Sequence, residues 1–209
     1  MTVALSLFDD DDAVGLTDLS AARRIPLAHG AWVEHLPGWL TGSAAVFEAL
    51  ERDVPWRAER RQMYDRVVDV PRLVAWYDQG VALPHTVLDQ ARTALSKRHR
   101  VELGEDLVTA GLCFYRDGDD SVAWHGDTIG RSRTEDTVVA IVSLGTARPL
   151  LLRPRDGRSR PATHRFVLGH GDLLVMGGSC QRTWEHAVPK TRGVSGGRIS
   201  VQFRVAGVR

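Results

Sequence analysis

At 209 residues the chain is long enough to bury a core of its own, and 43% apolar residues with a net charge of +1 exclude disordered, collagen-like and strongly basic classes. No run approaches the twenty or so apolar residues of a membrane helix, and two cysteines, Cys113 and Cys180, make no disulfide framework; a reduced interior thiol is the expectation for Cys113. Acids at Asp9 to Asp12 stand where a secretory signal would have a basic start and an apolar stretch, so a cytoplasmic protein with no membrane partner and no obligate protein partner is expected.

In chain order, the Asp9 to Asp12 run reads as solvated. Ser43-Ala-Ala-Val-Phe-Glu-Ala-Leu-Glu51 carries apolar residues at helical spacing and predicts a helix opening near Ser43. Arg57, Arg60 and Arg61, beside Trp56, have the spacing of one solvated helix face. A second helix is predicted over Thr86-Val-Leu-Asp-Gln-Ala-Arg-Thr-Ala-Leu-Ser96, starting at His85 or Thr86. Beyond it the chain turns strand-rich. Thr137-Val-Val-Ala-Ile-Val-Ser143 is a β-branched run fit for a buried strand. Arg148, Arg153, Arg155, Arg158, Arg160 and Arg165 crowd a Pro154-Arg-Asp-Gly157 turn between Leu150-Leu-Leu152 and Phe166-Val-Leu168, which reads as a basic hairpin. It serves either as a phosphate contact or as a solvated edge. Gly169-His-Gly171 marks a turn between two further apolar runs. Short strands separated by turns suggest a sandwich, with the helices buttressing it.

Against this background one motif carries chemistry. In an extended strand, His125 and Asp127 of His125-Gly-Asp127 project to the same side and can grip one ion, while Gly126 adds no bulk between them. Alone, such a pair is more often a surface or core feature than a metal site. His186 in Trp184-Glu-His-Ala-Val-Pro189 follows about sixty residues later, enough chain for several strands to return a third ligand. Two imidazoles and one carboxylate form a three-ligand face for iron(II) that leaves positions open for a co-substrate and dioxygen. Zinc accepts the same donors, so a zinc hydrolase is an alternative reading.

Arg198-Ile-Ser-Val-Gln-Phe-Arg204 adds an independent argument. Arg198, Ser200, Gln202 and Arg204 share one strand face, and Ile199, Val201 and Phe203 share the other. A half-exposed strand with two solvated arginines reads the same way. Following a metal-site histidine, however, two planar forks that bind carboxylates bidentately suit a dicarboxylate such as 2-oxoglutarate. A zinc hydrolase leaves both arginines without a role.

From Leu112 to Arg204 the chain resembles the AlkB family of 2-oxoglutarate- and iron(II)-dependent dioxygenases. The resemblance is carried by Cys113-Phe-Tyr115-Arg-Asp-Gly118, Ser121-Val-Ala-Trp-His125-Gly-Asp127, Ser143-Leu-Gly145, Gly171-Asp-Leu-Leu-Val-Met-Gly177, Trp184-Glu-His186-Ala-Val-Pro-Lys190 and the Arg198 to Arg204 segment, in matching order. Pro71-Arg-Leu-Val-Ala-Trp-Tyr77 extends a fainter likeness toward the N-terminus, and residues 1–50 match nothing in it. The resemblance implies an α+β protein, mainly β: a double-stranded β-helix, or jelly roll, buttressed by N-terminal helices. Residues 1–209 would form one domain, with 1–100 an N-terminal extension carrying helices and nucleotide-recognition elements and 101–209 the catalytic core.

By the same resemblance His125, Asp127 and His186 are the iron ligands and catalytic centre. Arg198 takes the distal carboxylate of 2-oxoglutarate. Arg204 lies near its 1-carboxylate with Tyr115 donating a hydrogen bond, and Ser200 and Cys113 line the same site. The implied reaction consumes dioxygen and 2-oxoglutarate, hydroxylates an N-alkyl carbon of a nucleobase in alkylated DNA or RNA, and releases formaldehyde, succinate and carbon dioxide. Two departures stand out. Cys113 replaces the family's usual asparagine, and Thr128-Ile-Gly-Arg131 replaces the acids that many relatives carry after the aspartate ligand. Candidates for handling the base are therefore Trp76, Tyr77 and the ring of His125, with Trp56 weaker; Glu135 or Asp136 as acceptors; and Arg155 and Arg158 as phosphate contacts. An oxygenase of the same chemistry acting on a protein or small molecule, and a nucleic-acid-binding protein without turnover, are the alternatives.

Overall fold

A computed structural model describes residues 13–63, 66–128, 130–155 and 162–208, with the side chains of 60–63 and 66–69 left aside. The readings placed on Asp9 to Asp12, Ile129, Arg158 and Arg160 lie outside the described residues. Strands β1 (Gly15–Leu16), β2 (Arg23–Pro26), β3 (Ala31–Leu36) and β4 (Leu40–Thr41) precede helix α1 (Ser43–Asp53). A hairpin of β5 (Arg57–Met63) and β6 (Arg66–Tyr77) leads to helix α2 (Thr86–Leu103). Then follow β7 (Thr109–Tyr115), β8 (Val122–His125), β9 (Val139–Gly145), β10 (Arg148–Pro154), β11 (His164–Leu168), β12 (Asp172–Gly178), the short helix α3 (Cys180–Thr183), β13 (Trp184–Val188) and β14 (Arg198–Arg204).

Two antiparallel sheets make the core. The larger runs in the order β2-β3-β12-β9-β14-β7-β6-β5, and the smaller in the order β11-β10-β13-β8. From β7 to β14 the chain crosses between the sheets strand by strand, with β7, β9, β12 and β14 in the larger and β8, β10, β11 and β13 in the smaller. Only the β10–β11 hairpin stays within one sheet, and this is the winding of a double-stranded β-helix. The predicted jelly roll is present. The boundary expected near residue 100 does not divide the sheet, because β2, β3, β5 and β6 extend it on both sides.

Alternation along the central strands creates two apolar layers. Ile199, Val201 and Phe203, with Ala110, Leu112 and Phe114, face outward onto α1 and α2. Val139, Ile141, Leu150, Leu152, Leu174 and Met176 fill the space between the sheets. Complete burial of each large apolar side chain contributes roughly 1.5–3 kcal/mol. Helix α2 buries Val87, Leu88, Ala91 and Leu95 at helical spacing, begins where His85 Nδ1 accepts from the Val87 amide at 3.2 Å, and ends at Gly104, whose φ of 69° suits glycine.

Three sequence readings need correction. All seven residues of β14 are buried, so the half-exposed strand does not exist. Two neighbouring strands cover its edges and the second sheet covers its polar face. Arg57, Arg60 and Arg61 lie on strand β5, not on a helix, because pairing with β6 overrides the local spacing. Arg148 is fully buried instead of solvated. Its guanidinium donates to the carbonyls of Asp117, Asp120 and Pro189 at 2.6, 2.8 and 2.9 Å.

Candidate metal and co-substrate centre

The smaller sheet brings the three candidate ligands together. His125, the last residue of β8, pairs directly with His186 on β13, and their rings stand 4.2 Å apart at 50°. Asp127 lies two residues beyond the strand, and one donor atom from each of the three falls within 4.8 Å of the others. Supporting contacts fix two of the three candidates, His125 and Asp127. His125 Nδ1 donates to the Ala123 carbonyl at 2.8 Å, which leaves Nε2 for an ion, 3.8 Å from Asp127 Oδ1. The Asp127 amide donates to Gln181 Oε1 at 3.1 Å, and the Ser132 hydroxyl donates to the Asp127 carbonyl. Between the ligands, a Cβ at Gly126 would meet the Gln181 carbonyl at 2.5 Å and Arg155 Nη2 at 2.6 Å, so the site requires glycine there for space.

Electrostatics favour a cation. Burial alone would raise the Asp127 pKa, but Arg204 and the two histidines outweigh it and hold the carboxyl well below its usual range. Burial, then the neighbouring His125, push His186 down to about 3. At neutral pH the centre therefore presents a neutral imidazole and a carboxylate from its buried members. That N, N, O donor set fits iron(II) and leaves coordination positions free.

Beside this centre, the inner face of β14 presents Arg198, Ser200, Gln202 and Arg204 in register with Tyr115, Cys113, Gly111 and Thr109 of β7. Arg198 is 1% exposed, its Nε donates to Ser143 Oγ at 2.9 Å, and its Nη1 is buried with no partner. A buried charged N–H without an acceptor is costly, and a carboxylate reaching into the interior would satisfy it. Tyr115 belongs to this end. It is the register partner of Arg198, whose guanidinium lies 5.4 Å from its ring, so Tyr115 sits at the Arg198 end of the face and not in the neighbourhood of Arg204. Burial, with Cys113, pushes the phenol up to about 12, so it stays a hydrogen-bond donor. Arg204 is committed elsewhere: Nε and Nη2 both donate to Asp127 Oδ2, at 2.9 and 2.8 Å. Its fork positions a metal ligand.

Between the arginines, Gln202 Nε2 donates to Ser200 Oγ at 2.6 Å, and the Cys113 thiol points to Gln202 Oε1 at 3.8 Å. Gln181, Gln202 and Arg72 belong to the site's surroundings and were not singled out in the sequence. Gln202 could have been, since it shares the face of Arg198 and Arg204. Gln181 could not, because only α3 packing against β13 brings it to Asp127.

The substrate candidates separate. Trp76 lies on the inner face, 37% exposed, with Arg204 5.6 Å from its ring. Tyr77 points the other way and packs with Trp56 against the helix-side core, where Trp56 tilts onto Phe114 at 5.3 Å. Neither reaches the metal side, since adjacent residues on a strand take opposite faces. Glu135 pairs with Arg131 at 3.1 Å and Asp136 with Arg182 at 2.5 Å, both on the surface. Arg155 lies over Gly126, with Glu185 3.7 Å away, at the rim of the metal site. Among the described residues, no helix is long and apolar enough to cross a membrane.

Comparison with known proteins agrees with this geometry. Residues 33–204 match the model of the 2OG-Fe(II) oxygenase superfamily. Alpha-ketoglutarate-dependent dioxygenase alkB homolog 3 of Bos taurus is 31% identical over 189 residues, covering 80% of this chain and 64% of that protein. The chain thus spans less than two thirds of that relative's length. DNA oxidative demethylase ALKBH2 of Arabidopsis thaliana is 27% identical, covering 88% of this chain and 69% of the relative. Among solved structures, a Trichoplax adhaerens prolyl hydroxylase in complex with a hypoxia inducible factor peptide fragment aligns with a TM-score of 0.58 at 13% identity, covering 85% of this chain and 83% of that one, a likeness of fold. With the family match running through the jelly roll and both ends of the co-substrate pocket, the chain belongs to the 2OG-Fe(II) oxygenase superfamily, AlkB-like within it, and its cofactors are iron(II), 2-oxoglutarate and dioxygen.

Proposed function

We propose that the protein removes N-alkyl groups oxidatively from nucleobases of DNA or RNA. His125, Asp127 and His186 hold the iron, and Arg198 with Tyr115 takes the distal carboxylate of 2-oxoglutarate. The observation that carries the nucleobase reading is Trp76: an aromatic side chain, 37% exposed, on the metal side of the sheet beside the Arg204–Asp127 pair, of a type that stacks a base taken out of its strand. The names of the relatives support it. When bound, iron(II) and 2-oxoglutarate use dioxygen to hydroxylate the N-alkyl carbon, giving succinate and carbon dioxide, and the hemiaminal releases formaldehyde.

The chain's own residues do the rest. Arg204 keeps Asp127 charged and aimed, the backbone contact at Nδ1 keeps His125 presenting Nε2, and Ile141, Leu152, Met176 and Trp184 close the interior to water. Arg155, at the rim, is placed for a phosphate of the substrate strand. No acid directly follows Asp127, so base recognition rests on stacking and shape. Incubating the protein with iron(II), 2-oxoglutarate and 1-methyladenine or 3-methylcytosine oligonucleotides, single- and double-stranded, DNA and RNA, tests this by mass spectrometry. Loss of one methylene per lesion with release of formaldehyde is expected. Steady 2-oxoglutarate decay with every oligonucleotide unchanged would overturn the nucleobase reading and favour an oxygenase of proteins or small molecules.

A further inference from the structure

We propose that Arg72 is a second guanidinium of the 2-oxoglutarate pocket, binding the distal carboxylate together with Arg198. The inference deepens the co-substrate reading above and rests on it. Alternation along β6 puts Arg72, Val74 and Trp76 on one face. Val74 is the register partner of Cys113, and Leu73 that of Phe114, so Arg72 sits one step further along, at the Tyr115–Arg198 end of the inner face. It arrives from the opposite side of β7 to Arg198, so the two guanidinium groups flank Tyr115.

Their hydrogen bonding shows what is missing. Arg72 Nε and Arg198 Nη1 are both buried without a partner. Two charged donors left unsatisfied around one phenol form an arrangement that an anion resolves. No protein carboxylate fills that role among the described residues. Both Asp120 oxygens receive bonds from Arg116, and Glu59 bears on Arg72 less strongly than Cys113 and Tyr115 do. Cys113, with which Arg72 is hydrogen-bonded, offers only a weak sulfur acceptor, and its own thiol hydrogen is turned to Gln202. Arg148 also has an unpartnered Nε near Tyr115, but it is wholly buried and its other nitrogens are tied to three carbonyls. It adds positive charge without a free fork. Arg72 is only partly covered, so a ligand can reach it.

Anaerobic calorimetric titration of the manganese-loaded protein tests the assignment. Two probes are used: 2-oxoglutarate, and oxalate, which chelates a metal through adjacent carboxylates but has no distal one. In Arg72→Gln, 2-oxoglutarate should bind roughly ten- to a hundredfold more weakly, as expected for losing a charge-assisted contact, with oxalate unchanged. Arg72→Lys should recover part of the affinity and, if Arg72→Gln does not fold, carries the test by the same selective loss. Unchanged 2-oxoglutarate affinity, or equal losses for both probes, would overturn the role of Arg72. Wild-type protein that binds oxalate but not 2-oxoglutarate would overturn the co-substrate reading itself.

Discussion

Arg204→Met isolates the contact on which the metal centre depends. Asp127 and Arg204 are 7% and 8% exposed, and two hydrogen bonds of 2.9 and 2.8 Å run from the guanidinium to one carboxylate oxygen. Methionine fills much of the volume but leaves a buried carboxylate uncompensated, which costs about 3–5 kcal/mol. For a chain of this length each kcal/mol moves the melting temperature by roughly 2–4 °C, so the metal-free variant should melt about 6–20 °C lower. A divalent ion bound by Asp127 replaces the lost positive charge, so nickel(II) should stabilise the variant more than it stabilises the wild type. Thermal melts by circular dichroism, with chelator and with nickel(II), measure both quantities. Arg131→Met is the control, since the Arg131 side chain is 38% exposed and pairs with Glu105 and Glu135 near the surface, where about 1 kcal/mol or less is at stake. A loss in Arg204→Met no larger than in this control, or one that nickel(II) leaves unchanged, would refute the argument.

Other outcomes follow from the same geometry. Gly126→Ala should sharply weaken metal binding seen by calorimetry while the jelly roll persists by circular dichroism, because the added carbon meets a backbone carbonyl at 2.5 Å; wild-type metal affinity would show that the ligand loop yields. Arg198→Lys keeps charge but loses the fork, so the 2-oxoglutarate requirement should rise severalfold or more with metal binding intact, and an unchanged requirement would remove Arg198 from the pocket. Trp76→Ala should lower demethylation of 1-methyladenine and 3-methylcytosine oligonucleotides relative to uncoupled 2-oxoglutarate decay, whereas Tyr77→Phe, on the helix side, should not; the reverse pattern would sink the stacking assignment. Acid stability should fall in two stages. His99, which burial holds below its ordinary 6.5, must stay neutral in the fold, so stability is lost as pH drops below that value. Burial would raise Glu34, but Arg98 and Arg24 outweigh it and depress its pKa, so its contribution is present above the ordinary carboxylate range and is lost as pH falls through the lowered value. Denaturant melts that stay flat between about pH 7 and 5 would contradict the sign for His99, and melts that stay flat from about pH 5 to 3 the sign for Glu34.

The sequence by itself determined the strand periodicity, the helices and the motif set. His125, Asp127 and His186 were legible because metal chemistry demands particular donors, and β14 because alternation sorts Arg198 to Arg204 onto two faces whatever surrounds them. Ile199, Val201 and Phe203 follow the same local rule. Everything that depends on which strand lies beside which was decided by the tertiary structure. Arg57 to Arg61 have helical spacing yet pair as a strand, since β6 supplies hydrogen bonds that an isolated segment lacks. Trp76 and Tyr77 are adjacent and equally aromatic, and only their sheet face separates a base-stacking candidate from a core residue. Arg148 belongs by composition to a basic hairpin, but its side chain turns inward to three carbonyls contributed by two distant loops. Arg204 is a carboxylate binder by chemistry, and its partner turns out to be Asp127, 77 residues away in the chain. Arg72 acquires a place in the pocket for the same reason: register across β6, β7 and β14, set by long-range pairing, brings its unpaired nitrogen to Tyr115.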